Sequence, residues 1–235
     1  MWVAFGKGRC MGEAGAGELR SAALREAMVL DQLIARGIRD ERVLAAFRKV
    51  RRELFIPGAP PDMAYEDHPI SIGCSQTISQ PYIVARTLEC LALKPEDRAL
   101  EIGAGSGYQT ALLAELCREV DSVERIPELA EAARERLRDM GYVNVEVRVA
   151  DGTLGWPEKA PYDAIVVSAA APRIPQPLLD QLADGGRLVI PVGDMLGQNL
   201  TLVERKGRAL KTSSICGCVF VRLIGKEGWK DGTHP

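Results

Sequence analysis

From residue 98 onward the chain alternates strand-like with helix-like stretches, and no other feature constrains its fold as much. RALEIG (98–103), DSVERI (121–126), NVEVRVAD (144–151), YDAIVVSA (162–169) and GRLVIPV (186–192) read as strands. Between them, residues 108–119 read as a helix. A second helix opens at Pro127, carries Ala133, Leu137 and Met140 on one face, and ends at Gly141. Residues 177–183 read as a short third. Repeated β-α-β units imply an open, mostly parallel sheet with helices on both faces. YDAIVVSA has the uniform apolarity of a strand covered on both sides. NLTLVER (199–205) and SICGCVFVRLI (214–224) follow with no helix-length spacer between them, so antiparallel pairing is expected there.

Upstream, the pattern is helical over residues 19–54. Leu30, Leu33 and Ile34 share one face, Val43, Phe47 and Val50 another, and Gly37 separates the two helices. The basic run Arg48, Lys49, Arg51 and Arg52 reads as a solvated helix face. Residues 56–80 carry Pro57, Gly58, Pro60, Pro61, Pro69 and Gly73 and read as one long loop, a kind usually kept for function. Val84, Leu88 and Leu91 then mark a helix with Pro81 in its first turn and Ser79 where an N-cap belongs. Glycines 6, 8, 12, 15 and 17 make residues 1–18 a flexible tail. Met11 and Met28 offer alternative starts, and the apolar stretch near Met1 is too short for a secretion signal.

Thirty basic residues against thirty-two acidic ones argue against a strongly basic nucleic-acid binder. No apolar run approaches the roughly 20 residues of a membrane span. His68 and His234 are the only histidines, too few for chemistry that leans on imidazole clusters, and His68 reads as a surface loop residue. Cysteines at 10, 74, 90, 117, 216 and 218 form no C-x-x-C pair and sit near no histidine, so no metal site is expected. They read as small buried hydrophobes in a reducing cytosol, with Cys216 and Cys218 on one side of a strand. Trp2, Trp156 and Trp229 lie in loop or tail contexts and show no base-stacking pattern.

The turn Glu101-Ile-Gly103-Ala-Gly105-Ser-Gly107-Tyr108 joins the first strand of the alternation to its helix. It lacks the lysine of a phosphate-binding P-loop, and Tyr108 stands where a dinucleotide loop has its third glycine. Glu124 closes the next strand, where an acid accepts both hydroxyls of a ribose. Asp151, followed by Gly152, closes the third and could meet an adenine amine. Acids without a phosphate-binding cation suit a sulfonium nucleoside. The turn resembles motif I of class I S-adenosylmethionine methyltransferases. The expected fold is accordingly α/β, a Rossmann-like, doubly wound, mostly parallel sheet of about seven strands with a C-terminal antiparallel strand and an N-terminal helical extension.

Three longer blocks narrow the resemblance. IGCSQTISQPYIVARTLE, LEIGAGSGYQTALLA and APYDAIVVSAAAPRIPQPLLDQLADGGRLVIPVG, with GIRDERVLAAFRKVRRELFIP near the start, are similar to protein-L-isoaspartate (D-aspartate) O-methyltransferases over residues 28–224. The resemblance implies methyl transfer from S-adenosylmethionine to the free α-carboxyl of L-isoaspartyl residues in damaged proteins, with S-adenosylhomocysteine as product. The ester then closes to a succinimide, which reopens partly to aspartate. It implies Ser79 as the catalytic serine and Gln76, Thr77 and Ile78 as the loop over cofactor and substrate. Ser79, Glu101, Gly103, Gly105, Gly107, Glu124, Arg125, Asp151 and Gly152 match cofactor-contacting positions, and Thr77, Ser79, Val219, Phe220 and Val221 match the peptide site. From spacing alone Ser79 can be a helix cap, a catalytic group or both.

These matches divide the chain into a tail (1–18), N-terminal helices with an active-site loop (19–94), an S-adenosylmethionine-binding core (95–225) and a C-terminal tail (226–235), all one globular domain. A cytoplasmic monomer or weak oligomer is expected, acting on damaged proteins and neither nucleic acid nor membrane. Two departures stand out. Ser75 replaces a glycine common in the family, and Arg222 replaces a proline in the peptide-binding segment. Rival readings share the cofactor residues: a methyltransferase for RNA or a small molecule, or a non-catalytic module that binds S-adenosylmethionine.

Overall fold

The computed structural model describes residues 11–56, 58–194 and 197–231. Its centre is a seven-stranded sheet of β3 (Arg98–Ile102), β4 (Glu119–Glu124), β5 (Val145–Val149), β6 (Tyr162–Val167), β7 (Leu182–Gly193), β8 (Gln198–Lys206) and β9 (Ala209–Cys218). The order is β5-β4-β3-β6-β7-β8-β9. The first five run parallel, β8 is antiparallel to β7, and β9 is antiparallel to β8. The chain winds outward from β3 in both directions, so a crevice opens at the carboxyl ends of β3 and β6, the usual ligand site of such sheets.

Strand alternation builds two cores. Ala99, Val120, Ala164, Val166 and Val189 join the cluster on one face. Their neighbours Leu100, Ile102, Ile165, Val167, Leu188 and Ile190 join the other. Successive side chains on a strand point to opposite faces, which is why the uniformly apolar β6 is covered twice. The first core holds the N-terminal helices together with α4 (Pro81–Leu91) and α5 (Tyr108–Leu116). The second includes α7 (Gln176–Asp180) through Leu178, and Trp156. Helix α6 (Pro127–Asp139) buries Leu129, Ala130, Ala133 and Leu137.

The N-terminal extension differs from the sequence reading in three places. Helix α1 (Met11–Ala27) covers much of the expected tail, and Met28–Ile34 continues it as a π-helical stretch. The other tail residues, 1–10, lie outside the described residues. Helix α2 (Glu41–Lys49) is capped by Asp40, which accepts from the amides of Arg42 and Val43 and so satisfies two otherwise orphaned donors. Arg52 departs from the basic face of which it was read as part, and is completely buried. The expected long loop contains the short helix α3 (Pro61–Ala64) and a hairpin of β1 (Ile70–Gly73) and β2 (Gln76–Ile78). Its turn residues Cys74 and Ser75 have φ of 50° and 56°. Two-residue hairpin turns with positive φ at both positions normally use Asn-Gly. Cys-Ser hides the hairpin in the sequence.

Candidate active site

The glycine turn leaves β3 at Gly103, whose amide donates to the Val123 carbonyl (2.7 Å), and enters α5 at Tyr108. Gly105 sits at φ 54°, and a Cβ there would lie 3.3 Å from the Ile72 side chain of the hairpin. Positive φ and close approach together favour glycine. The Gly105 amide donates to Glu124 Oε2 (2.9 Å), and the Ile126 amide donates to Oε1 (2.9 Å). Glu124 is thus pinned by backbone at the rim of a cleft of about 350 Å³. Gln76, Thr77, Ile78 and Ser79 of the hairpin segment face this cleft, as do Gly103, Gly105, Glu124, Arg125 and Gly152.

Three candidates stand apart from the cleft wall. Gly107 packs where a Cβ would come within 3.3 Å of Ala133, so it serves helix packing. Asp151 accepts from the amide (2.9 Å) and hydroxyl (2.7 Å) of Thr153 and from the Lys226 amide (2.8 Å). Glu101 is wholly buried beneath the turn, accepting from Thr110 (2.5 Å), Ser122 (2.7 Å) and Gln109 (3.2 Å). Burial pushes its pKa up to about 7 against those three hydrogen bonds, because a carboxylate loses more solvation than the neutral acid.

Ser79 is half-buried at the mouth of α4 but is not its cap, since Gln80 holds that position, its side chain turned to Asp67 rather than capping the helix. Arg52 donates to the Ser79 carbonyl (2.8 Å) and the Ala64 carbonyl (2.7 Å), which ties the serine's backbone to the core. The Ser79 hydroxyl has no partner among the described residues.

A second cavity of about 380 Å³ adjoins the first and is lined by Val219, Phe220, Val221, Ile83 and Pro69. Thr77, Ser79, Ser168 and Val221 wall both cavities. The 219–221 segment does not continue β9, as the sequence suggested. The chain leaves the sheet at Cys218, where the side chain of Gln198 grips Phe220 by accepting from its amide (2.7 Å) and donating to its carbonyl (3.2 Å). The Ala170 amide donates to the Val221 carbonyl (2.7 Å).

Residues 226–231, expected as tail, are stitched to the core through the Asp151 bond, the Glu227 amide on Thr153 and the Trp229 indole on the Ala170 carbonyl (3.0 Å). Asp231 lies 3.6 Å from Arg125. Trp156 is core, and Trp2 lies outside the described residues. His68 is exposed, its ring against Glu66 and Pro69, and it lines neither cavity. Cys74, Cys90, Cys117, Cys216 and Cys218 are free thiols, and Cys216 and Cys218 both pack against the same core. Cys10 is outside the described residues. Sequence reasoning missed Ser168 and Gln109. The signal for Ser168 was a polar residue closing an apolar strand, as Glu124 closes β4.

Both oxygens of Glu124 keep lone pairs beyond the two amides they accept, since a carboxylate offers about four. No lysine lines the cleft, and its cations Arg125 and Arg222 come from outside the glycine turn. That donor set fits a nucleoside with ribose hydroxyls and no phosphate. The fold and this cleft define a class I S-adenosylmethionine-dependent methyltransferase. The family profile of protein-L-isoaspartate(D-aspartate) O-methyltransferase (PCMT) matches residues 24–228. The protein-L-isoaspartate O-methyltransferase 1 of Syntrophobacter fumaroxidans is 57% identical over 206 residues, 88% of this chain and 96% of its own. The enzyme of Methanoculleus marisnigri is 58% identical over 212 residues, 90% and 96% of the two chains. The Plasmodium falciparum beta-aspartate methyltransferase, solved with S-adenosyl-L-homocysteine, superposes with a TM-score of 0.74 at 28% identity, covering 87% of this chain and 98% of its own. The chain belongs to the protein-L-isoaspartate(D-aspartate) O-methyltransferase family.

Proposed function

We propose that the protein methylates the free α-carboxyl of L-isoaspartyl residues in damaged proteins, with S-adenosylmethionine as donor. The observation that carries this reading is the pair of cavities meeting at Thr77, Ser79, Ser168 and Val221. One is a nucleoside cleft. The other has no charged side chain in its wall, as suits recognition of many proteins through main chain rather than a side-chain pocket.

Gly103, Gly105 and Glu124 would hold the nucleoside, with Gln76, Thr77 and Ile78 closing over it. When bound, S-adenosylmethionine supplies an electrophilic methyl on a positively charged sulfur. The acceptor carboxyl, with a pKa near 4, is ionised at neutral pH, so the chain needs no general base. This agrees with His68 being absent from the walls of both cavities. Ser79 donates a hydrogen bond to that carboxylate and fixes its line of approach. The first turn of α4 adds main-chain amides that favour an anion, and Arg52 keeps the serine's backbone in place. Glu101 and Asp151 act on the cofactor indirectly, the first supporting the glycine turn and the second anchoring the strap of residues 226–231.

The main chain around Val219 and Val221 receives the peptide. Val219 is 91% exposed, and among the described residues the Val221 amide donates to no group. A cytoplasmic location is consistent with the free thiols, and among the described residues no helix is long and apolar enough to cross a membrane. The deciding experiment supplies labelled S-adenosylmethionine with matched aspartyl and isoaspartyl peptides. Base-labile methyl ester on the isoaspartyl peptide alone is expected. Label on RNA or on the aspartyl peptide would point to a different acceptor, and tight cofactor binding with no transfer would point to a non-catalytic module.

A further inference from the structure

The hydroxyl of Ser168 has no part in the scheme above, yet it stands where the two cavities meet. Ser168 follows β6, and its amide donates to the Ile102 carbonyl (2.8 Å), which fixes its backbone across the end of β3. Gln109 Nε2 donates to Ser168 Oγ (2.8 Å) and to Glu101 Oε1 (3.2 Å). The other oxygen of Glu101 is taken by Thr110 and Ser122.

This chain of contacts has a direction. The Gln109 amide presents its nitrogen to Glu101, the sense that the ionised carboxylate requires because it only accepts. The second hydrogen on that nitrogen then occupies the Ser168 oxygen. A hydroxyl has one hydrogen to give, and that of Ser168 meets no acceptor among the described residues. It is left to donate into the space between the cavities. The wall of the peptide cavity holds no lysine, arginine or histidine, so on that side an anion is met by neutral donors, the arginines lying in the wall of the nucleoside cleft. A carboxylate attacking through one oxygen also has a second oxygen to satisfy.

We propose that Ser168 is a second hydrogen-bond donor to the isoaspartyl carboxylate, partner to Ser79, and that Gln109 and Glu101 are positioning residues that hold its hydroxyl in the donating sense. This rests on the methyltransferase reading given above. The role is one of binding and aim, with no proton transferred.

The test compares Ser168→Ala and Ser168→Thr with the wild type. It measures kcat and KM for an isoaspartyl peptide, calorimetric affinity for S-adenosylhomocysteine, and peptide affinity of the protein loaded with that product. A hydrogen bond to a charged group corresponds to a loss of about 10- to 100-fold when removed. Ser168→Ala should weaken peptide binding by about 10-fold or more while S-adenosylhomocysteine affinity stays within about twofold, and Ser168→Thr should restore most of the loss. Should Ser168→Ala fail to fold, Ser168→Gly carries the same expectation. Glu101→Gln turns the Gln109 amide around and should weaken the peptide in the wild-type background but not further in Ser168→Ala, a coupling that loss of packing alone would not give. If the wild type labels isoaspartyl peptide and Ser168→Ala binds it with unchanged affinity, or loses S-adenosylhomocysteine instead, the assignment is overturned while the activity stands. If the wild type labels no isoaspartyl peptide, the activity reading itself fails.

Discussion

Replacing Glu101 with glutamine should change how the stability of the fold depends on pH. Glu101 is completely buried, and burial raises its pKa from 4.5 to about 7. Between those values the folded protein holds a proton that the unfolded chain has released. Stability from this group is therefore full below the lower value and is lost as pH climbs through the upper one. Each pKa unit corresponds to about 1.4 kcal/mol, so from about pH 5 to pH 8 the wild type should lose roughly 2–3 kcal/mol that the neutral glutamine does not. Other titrating groups are common to both proteins and cancel in the difference. Urea denaturation without cofactor, repeated across that range, measures it, provided the m-values agree. A wild-type-minus-variant difference that stays flat within about 0.5 kcal/mol would refute the claim that folding must desolvate this carboxylate.

Ser79→Ala should reduce kcat by about 100-fold, as loss of an aligned donor does. Its unfolding free energy should stay within about 0.5 kcal/mol of wild type, because Ser79 caps no helix; a larger drop would mean a structural role. Ser75→Gly relieves a left-handed non-glycine residue at φ 56° and should stabilise the protein by about 1 kcal/mol in thermal unfolding. Gly152→Ala places a Cβ 2.4 Å from Ile102 Cγ2 at the floor of the cleft. It should cost about 1–3 kcal/mol and weaken S-adenosylhomocysteine in calorimetry. Val221→Pro removes an amide that no described residue uses and should raise the peptide KM with cofactor affinity unchanged; equal constants for both ligands would exclude main-chain recognition there.

The parallel sheet was legible because strand-like and helix-like stretches alternate from residue 98 onward, because β6 carries the apolar run that double coverage demands, and because Gly103 and Gly105 mark the turn that bends toward a ligand. Glu124 was legible for the same reason, as a charge at a strand end where nothing apolar would need it. Ser168 escaped because a lone serine at a strand end is common, and only its position between two cavities gives it meaning. The β1–β2 hairpin was hidden by a turn without asparagine or glycine at its centre. Arg52 was hidden because a one-dimensional run of cations does not show which member turns inward; its burial depends on carbonyls 12 and 27 positions away in the chain. The strap at residues 226–231 was unreadable for a related reason, since its anchors on Asp151, Thr153 and Ala170 are long-range backbone bonds that leave no periodic trace.

That strap has a practical consequence. Asp151 and Thr153 clasp the amides of Lys226 and Glu227, and Asp231 reaches back to Arg125 on the rim of the nucleoside cleft. A purification handle or reporter fused just downstream would therefore be hung from the same hinge pin that shapes the nucleoside's seat.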